Sequence, residues 1–157
     1  MIDTHAHLNL PELGDNIEHV LHACERAGIA GIVVPGTDLE NSQMAIEGAK
    51  RYKHVFAAIG IHPLSVLDWS VGESDVVIGE IEAGVARLEA LAHHATRLVA
   101  IGEIGLDYFH IMRAHGALEQ AYVDAQHSLF IAQLELATRL NLPIIIHNRD
   151  SADAVID

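Results

Sequence analysis

The sequence predicts an α/β fold built on a parallel sheet, and three observations carry that prediction. Short runs rich in Val, Ile and Ala recur between longer stretches whose apolar residues fall at helical spacing. The short runs are apolar almost throughout, as strands covered on both faces are, rather than alternating. Half of the residues are hydrophobic, against 20% charged and 4% aromatic, so the chain can bury an aliphatic core. At 157 residues, with no linker or low-complexity tract, residues 1–157 read as a single domain.

The elements follow in order. MIDTHAH reads as an extended strand, which places His5 and His7 on one face at chelating spacing. In GDNIEHVLHACERAG, residues 14–28, Ile17, Val20, Leu21 and Cys24 form one helical face; Asp15 and Glu18 have capping-box spacing and Gly28 supplies a stop. Cys24 is the single cysteine and reads as a buried thiol, which excludes an intramolecular disulfide framework and fits a reducing compartment. Further strands are predicted at residues 29–35, 55–60, 97–103 and 142–147, and further helices at 39–52, 76–93 and 117–140, with another starting near Asp157. In the stretch 76–93 the helical face is Ile78, Ile81, Val85, Leu88 and Ala92.

Charge and hydropathy narrow the function. A formal charge of -13 opposes attraction to nucleic acid through the overall field, so a phosphate substrate would need bound cations or a few placed arginines. The N-terminus lacks a basic stretch followed by an apolar one, and no segment approaches the ~20 apolar residues that span a bilayer. A soluble cytoplasmic protein without membrane contact is the expectation.

Parallel α/β sheets bind ligands at the carboxyl ends of their strands. Read in order, those ends carry His5 and His7, then Gly36 and Thr37, then His62 in GIHP, Glu103 in GEIGLD and His147 in IIIHNRD. Imidazoles and a carboxylate meeting at one edge point to a divalent metal centre. His19 and His22 fall on the polar side of the first helix, and His93 and His94 at the end of the third, where the dipole suits a cation. His110 and His115 are expected in a loop and His127 in the helix 117–140; none of these seven is assigned to the metal.

IDTHAHL, GIHP, GEIGLDY and LPIIIHNRD, with Gln126, Phe130, Gln133 and Ala137, resemble the TatD family of metal-dependent deoxyribonucleases, members of the amidohydrolase-like TIM-barrel superfamily. The resemblance implies a (β/α) barrel of eight strands and a two-metal site that hydrolyses phosphodiester bonds in DNA, at ends or in single strands. It implies His5 and His7 as ligands of one ion, Glu103 as the carboxylate bridging both and the catalytic residue this chain carries, and His147 as a ligand of the second. The ions would be Mg, Mn or Zn. His62 and Arg149 are expected at the substrate or beside the ligands, Arg149 by forking onto phosphate oxygens or else in a surface salt bridge. Asp107 is expected to hold a histidine ligand in its tautomer or to cap the loop. Tyr108 and Phe109 offer either a stacking surface for a base or packing under the loop.

The chain supplies about five of the eight strands such a barrel needs. The family's further metal-binding histidine after a sixth strand, and its aspartate ligand and base after the eighth, have no counterpart here. An unclosed sheet exposes two edges and an apolar face. The expectation is therefore the N-terminal part of a longer enzyme, weak or inactive alone, self-associating through its open side if it persists alone. Two other readings stay open. One is an amidohydrolase acting on a cyclic amide or ester, although such enzymes commonly bridge their metals with a carboxylated lysine where this chain offers Glu103. The other is a noncatalytic, oligomerising module.

Overall fold

The structure is a computed structural model describing residues 1–9 and 16–156. Its five strands are β1 (Ile2–Asp3), β2 (Gly31–Pro35), β3 (Val55–Ile59), β4 (Leu98–Asp107) and β5 (Ile144–Arg149). All neighbours pair in parallel and the spatial order is the chain order. A doubly wound sheet reverses its order at a switch point; strands laid down strictly in sequence are the arrangement of a (β/α) barrel.

The helices are α1 (Ile17–Arg26), α2 (Leu39–Arg51), α3 (Ser74–His94), α4 (Tyr108–His115), α5 (Gln120–Leu140) and the short α6 (Ala152–Ile156). Helix α2 packs on β2 and β3, and α5 packs on β4 and against α3. Ile32, Val34, Val55, Ala57 and Ile59 of the sheet share one buried cluster with Ala45 and Ile46 of α2, Ile81 and Leu88 of α3, and Leu129 and Leu136 of α5. Each fully buried Val, Leu or Ile of this cluster stabilises the fold by about 1.5–3 kcal/mol. Among the described residues no helix is long and apolar enough to cross a membrane.

Among the described residues the sheet is open: strands β1 and β5 have one neighbour each, and Ile2, Ile144 and Ile146 are exposed to solvent. The apolar run of β5 was shaped for burial that the described residues do not provide.

Several local expectations are corrected. Strand β1 ends at Asp3, so His5 and His7 lie beyond it in irregular chain. The Asp3 carboxylate accepts the His5 N–H at 3.0 Å, a side-chain turn that competes with the ladder, and the Ala6 N–H rejoins β2 at the Val33 carbonyl, 3.1 Å away. Asp15, half of the capping box, lies outside the described residues; Asn16 precedes α1 without a side-chain cap bond, and Glu18 pairs with Arg51 at 3.5 Å. Cys24 is only partly buried. His110 and His115 belong to helix α4, not a loop. That helix is too short for a clear apolar period, burying only Ile111, but its caps are orthodox: the Asp107 side chain accepts the His110 N–H, and Gly116 takes the left-handed conformation at φ 74. A 3-10 turn, Pro63–Asp68, follows His62.

Strand β4 runs past Glu103 to Asp107 because its glycines admit a close neighbour. A Cβ at Gly105, whose φ is +142, would lie 2.1 Å from the His147 carbonyl oxygen. Glycine there lets β4 and β5 carry Glu103, Asp107 and His147 side by side.

Candidate metal centre

The carboxyl rim of the sheet gathers groups distant in sequence. His5 and His7 come from the turn after β1, His62 from the chain after β3, Glu103 and Asp107 from β4, and His147 and Arg149 from β5. The His5 and His7 Nε2 atoms are 3.2 Å apart, and the Glu103 Oε2 lies 3.3 Å from each. The other Glu103 oxygen, Oε1, lies 3.0 Å from His147 Nδ1. Two groups of three donors result, His5–His7–Glu103 and His62–Glu103–His147, with all ligand atoms of each within 4.8 Å of one another.

This donor set fits divalent cations. Two neutral imidazole lone pairs repel when they face each other, so a proton or a cation belongs between them. Tetrahedral ligands held at ~2.0–2.1 Å from one ion stand about 3.3–3.4 Å from each other, which matches the 3.2–3.3 Å triangle of His5, His7 and Glu103. Imidazole and carboxylate together suit Zn or Mn, and the two oxygens of one carboxylate serve both donor groups. His7 Nδ1 is buried without a hydrogen-bond partner among the described residues.

The electrostatics follow from the same contacts. Burial alone would raise the Glu103 pKa, but the bond from His147 and the fields of His62 and His5 outweigh it and hold the carboxyl at about 2. Burial would lower the His147 pKa, but the bonds to Glu103 and to Asp107 raise it. Asp107 is held below its ordinary value against burial by its bonds from His110 and His147. Burial, reinforced by the neighbouring His147, pushes His62 down to about 4, so it is neutral at physiological pH.

Asp107 has partners on both of its carboxylate oxygens. Its Oδ1 caps α4 at 2.9 Å, and its Oδ2 lies 3.0 Å from His147 Nε2 and 2.8 Å from His110 Nδ1. A proton on His147 Nε2 directed at Asp107 leaves Nδ1 facing Glu103 as the donor atom. The Leu64 N–H donates to His62 Nδ1 at 3.1 Å, so the neutral His62 ring carries its proton on Nε2. Arg149 forms no ion pair among the described residues; its guanidinium carbon sits 4.2 Å over the Phe109 ring. Tyr108 is committed to His127, with its hydroxyl 2.6 Å from Nε2.

Sequence reading left several rim residues without a role. Ser42 bridges Gly60 through both its N–H and carbonyl, Asn9 donates to the Pro35 carbonyl, and Ser151 donates to the Leu106 carbonyl. Gln126 and Gln133 are fully buried on α5. Their signal was present, since polar amides at positions 126 and 133 sit on the same helical face as Phe130 and Ala137. A cavity of about 410 Å³ lined by His22, Glu25 and His54 lies at the opposite, amino end of the sheet.

Comparison with known proteins gives a consistent picture. The family model described as TatD related DNase matches residues 2–157. The chain is 35% identical over 156 residues to the uncharacterized metal-dependent hydrolase YabD of Bacillus subtilis, a match covering 99% of this chain and 53% of that protein. It is 31% identical over 151 residues to the 3'-5' ssDNA/RNA exonuclease TatD of Salmonella typhimurium, covering 96% and 50% respectively. The crystal structure of YjjV, a TatD homolog from Escherichia coli K12, superposes with a TM-score of 0.79 at 31% identity, over 99% of this chain and 53% of that one. The chain thus spans about half the length of these relatives, and its five strands form a curled half-barrel.

Proposed function

The chain belongs to the TatD-related DNase family, and from that premise we propose that its protein is a metal-dependent hydrolase of phosphodiester bonds in DNA. Residues 1–157 form the N-terminal part of its barrel domain and supply about half of the ligands, but not the base that activates water. The observation that carries this reading is the convergence of His5, His7 and His147 on the two oxygens of Glu103 at 3.0–3.3 Å.

His5, His7 and Glu103 Oε2 would hold one divalent ion, and His147 with Glu103 Oε1 would hold a second, with Mg, Mn or Zn as the suited metals. Such ions would supply Lewis acidity for acidifying a water and balancing charge on the attacking and leaving oxygens. Glu103 keeps its negative charge throughout, since its pKa of about 2 lies far below neutrality. Asp107 fixes the His147 ring through Nε2. His62 offers a neutral Nε2–H donor to a phosphate oxygen, and Arg149, exposed and steadied over Phe109, offers a forked cation to another. These groups give local attraction to DNA in a chain whose overall charge is -13.

The test incubates the metal-loaded chain with labelled single- and double-stranded oligonucleotides and, separately, with a cyclic amide. Slow, metal-dependent DNA hydrolysis that disappears in Glu103→Gln is the expected result. Ring opening of the amide without DNA cleavage would overturn the substrate assignment, and brisk DNA turnover would overturn the claim that catalytic groups are missing.

The exposed Ile144 and Ile146 on an edge strand favour a second property, self-association through the open side of the sheet. Equilibrium sedimentation should show concentration-dependent dimers or larger species; a monomer at all concentrations contradicts it.

A further inference from the structure

We infer that Gln126 and Gln133 of α5 are positioning residues that fix the main chain on both sides of His62 and at Asp107, setting the geometry of the metal-proximal pair. The inference rests on the functional reading above for its significance, but its geometry stands on separate contacts.

Both glutamines are fully buried on one face of a helix otherwise apolar there. A buried amide left unpaired costs about 1–3 kcal/mol, so leucine or methionine would be the simpler choice at these positions unless the amides have partners. They have several. Gln133 Oε1 accepts the Ile61 N–H at 2.7 Å, while its Nε2 donates to the Ile61 carbonyl at 3.0 Å and to the Leu129 carbonyl at 3.4 Å. The side chain thus satisfies both backbone groups of one residue, as a neighbouring strand would.

Gln126 does the same at Asp107. Its Oε1 accepts the Asp107 N–H at 2.9 Å, and its Nε2 donates to the Asp107 carbonyl at 3.2 Å and to the Pro63 carbonyl at 3.3 Å. Strand β3 ends at Ile59, so residues 61–63 have left the ladder when they reach the site. The two amides take its place. They grip Ile61 and Pro63, which flank His62, and one of them grips Asp107 as well. The His62 N–H is also tied to the Thr37 carbonyl at 2.8 Å. With its backbone held at each side, the His62 ring reaches Leu64 N–H and lies 4.1 Å from the His147 ring, centroid to centroid. One helix therefore sets the separation between the chain after β3 and the end of β4.

The test has two arms, both on the chelator-treated 157-residue chain. In the wild type, hydrogen exchange at the Ile61 and Asp107 amides should be as slow, within about tenfold, as at the buried ladder amide of Ile101. Fast exchange at both overturns the inference without any substitution. In the second arm, Gln126→Met and Gln133→Met keep side-chain length and remove the amide, and Leu136→Ala serves as a comparably destabilised control on the same helix. Long-range ¹H–¹⁵N spectra should show His62 losing its single Nε2–H tautomer in folded Met variants and keeping it in the control. An unchanged His62 signal in both Met variants reduces the glutamines to backbone partners with no positioning role. Zn²⁺ affinity at His5, His7 and Glu103 should stay within about threefold in the Met variants, because no ligand is touched. Absence of Zn²⁺ binding in the wild type would instead contradict the functional reading, leaving the exchange result to stand by itself.

Discussion

Replacing Glu103 with glutamine tests the electrostatics of the centre without any metal. The Glu103 side chain is 11% exposed, with Oε2 3.3 Å from two imidazoles and Oε1 3.0 Å from a third. Its carboxyl pKa is about 2, against an ordinary 4.5. As the pH falls the unfolded chain takes up this proton first, so the stabilisation is present above about 4.5 and lost towards 2. At about 1.4 kcal/mol per pKa unit the whole effect is about 3 kcal/mol, of which about 2 kcal/mol is lost between pH 6 and pH 3. Glutamine cannot titrate. Urea unfolding followed by circular dichroism, in chelator at both pH values, should therefore show wild type losing about 2 kcal/mol more than Glu103→Gln between them. Parallel losses would refute the reasoning and place the carboxylate away from its imidazoles.

Further outcomes follow from the same contacts. Because His147 must shed a proton to bind a cation and its pKa is raised, Zn²⁺ affinity measured by calorimetry should, as the pH is lowered, begin to fall while the pH is still above 6.5 and then drop about tenfold per pH unit; affinity that stays flat on lowering the pH to 6 contradicts this. Leu136 is completely buried on α5, so Leu136→Ala should cost about 2–5 kcal/mol in urea unfolding, and a cost under about 1 kcal/mol would place it outside the core. Fluorescence anisotropy of a short single-stranded oligonucleotide on the Zn-loaded chain should show Arg149→Ala weakening binding by roughly tenfold. Phe109→Leu, which removes the ring under the guanidinium, should weaken it about two- to fivefold; unchanged affinity in both would remove Arg149 from the binding surface.

The parallel sheet was legible because β2 and β3 are buried along nearly their whole length, which forces continuous apolar runs into the sequence. The convergence of His5, His7, Glu103 and His147 was legible for a topological reason: parallel strands deliver their carboxyl ends to one rim, so residues closing successive runs must meet there. What sequence concealed was local. Period-2 reasoning put His5 and His7 on a strand, whereas a carboxylate three residues into the chain turns it out of the ladder and still brings the rings together. Helix α4 hid because Asp107, read as a site residue, is also its cap. The tautomer of His62 depends on Leu64 folding back over the ring, and the cation–π contact of Arg149 on helix α4 following its cap; neither leaves a periodic trace. Gln126 and Gln133 stood out as polar residues on an apolar face, but their partners are backbone groups, which carry no sequence identity.

The central claim is that imidazoles from the turn after β1 and from β5 share one carboxylate around divalent ions. Anomalous diffraction from crystals of this chain soaked in Zn²⁺ tests it most directly. The account predicts one peak inside the triangle of His5 Nε2, His7 Nε2 and Glu103 Oε2, and a second beside His147 Nδ1 and Glu103 Oε1. Zinc bound only elsewhere on the surface, with the rim side chains turned apart, would contradict it.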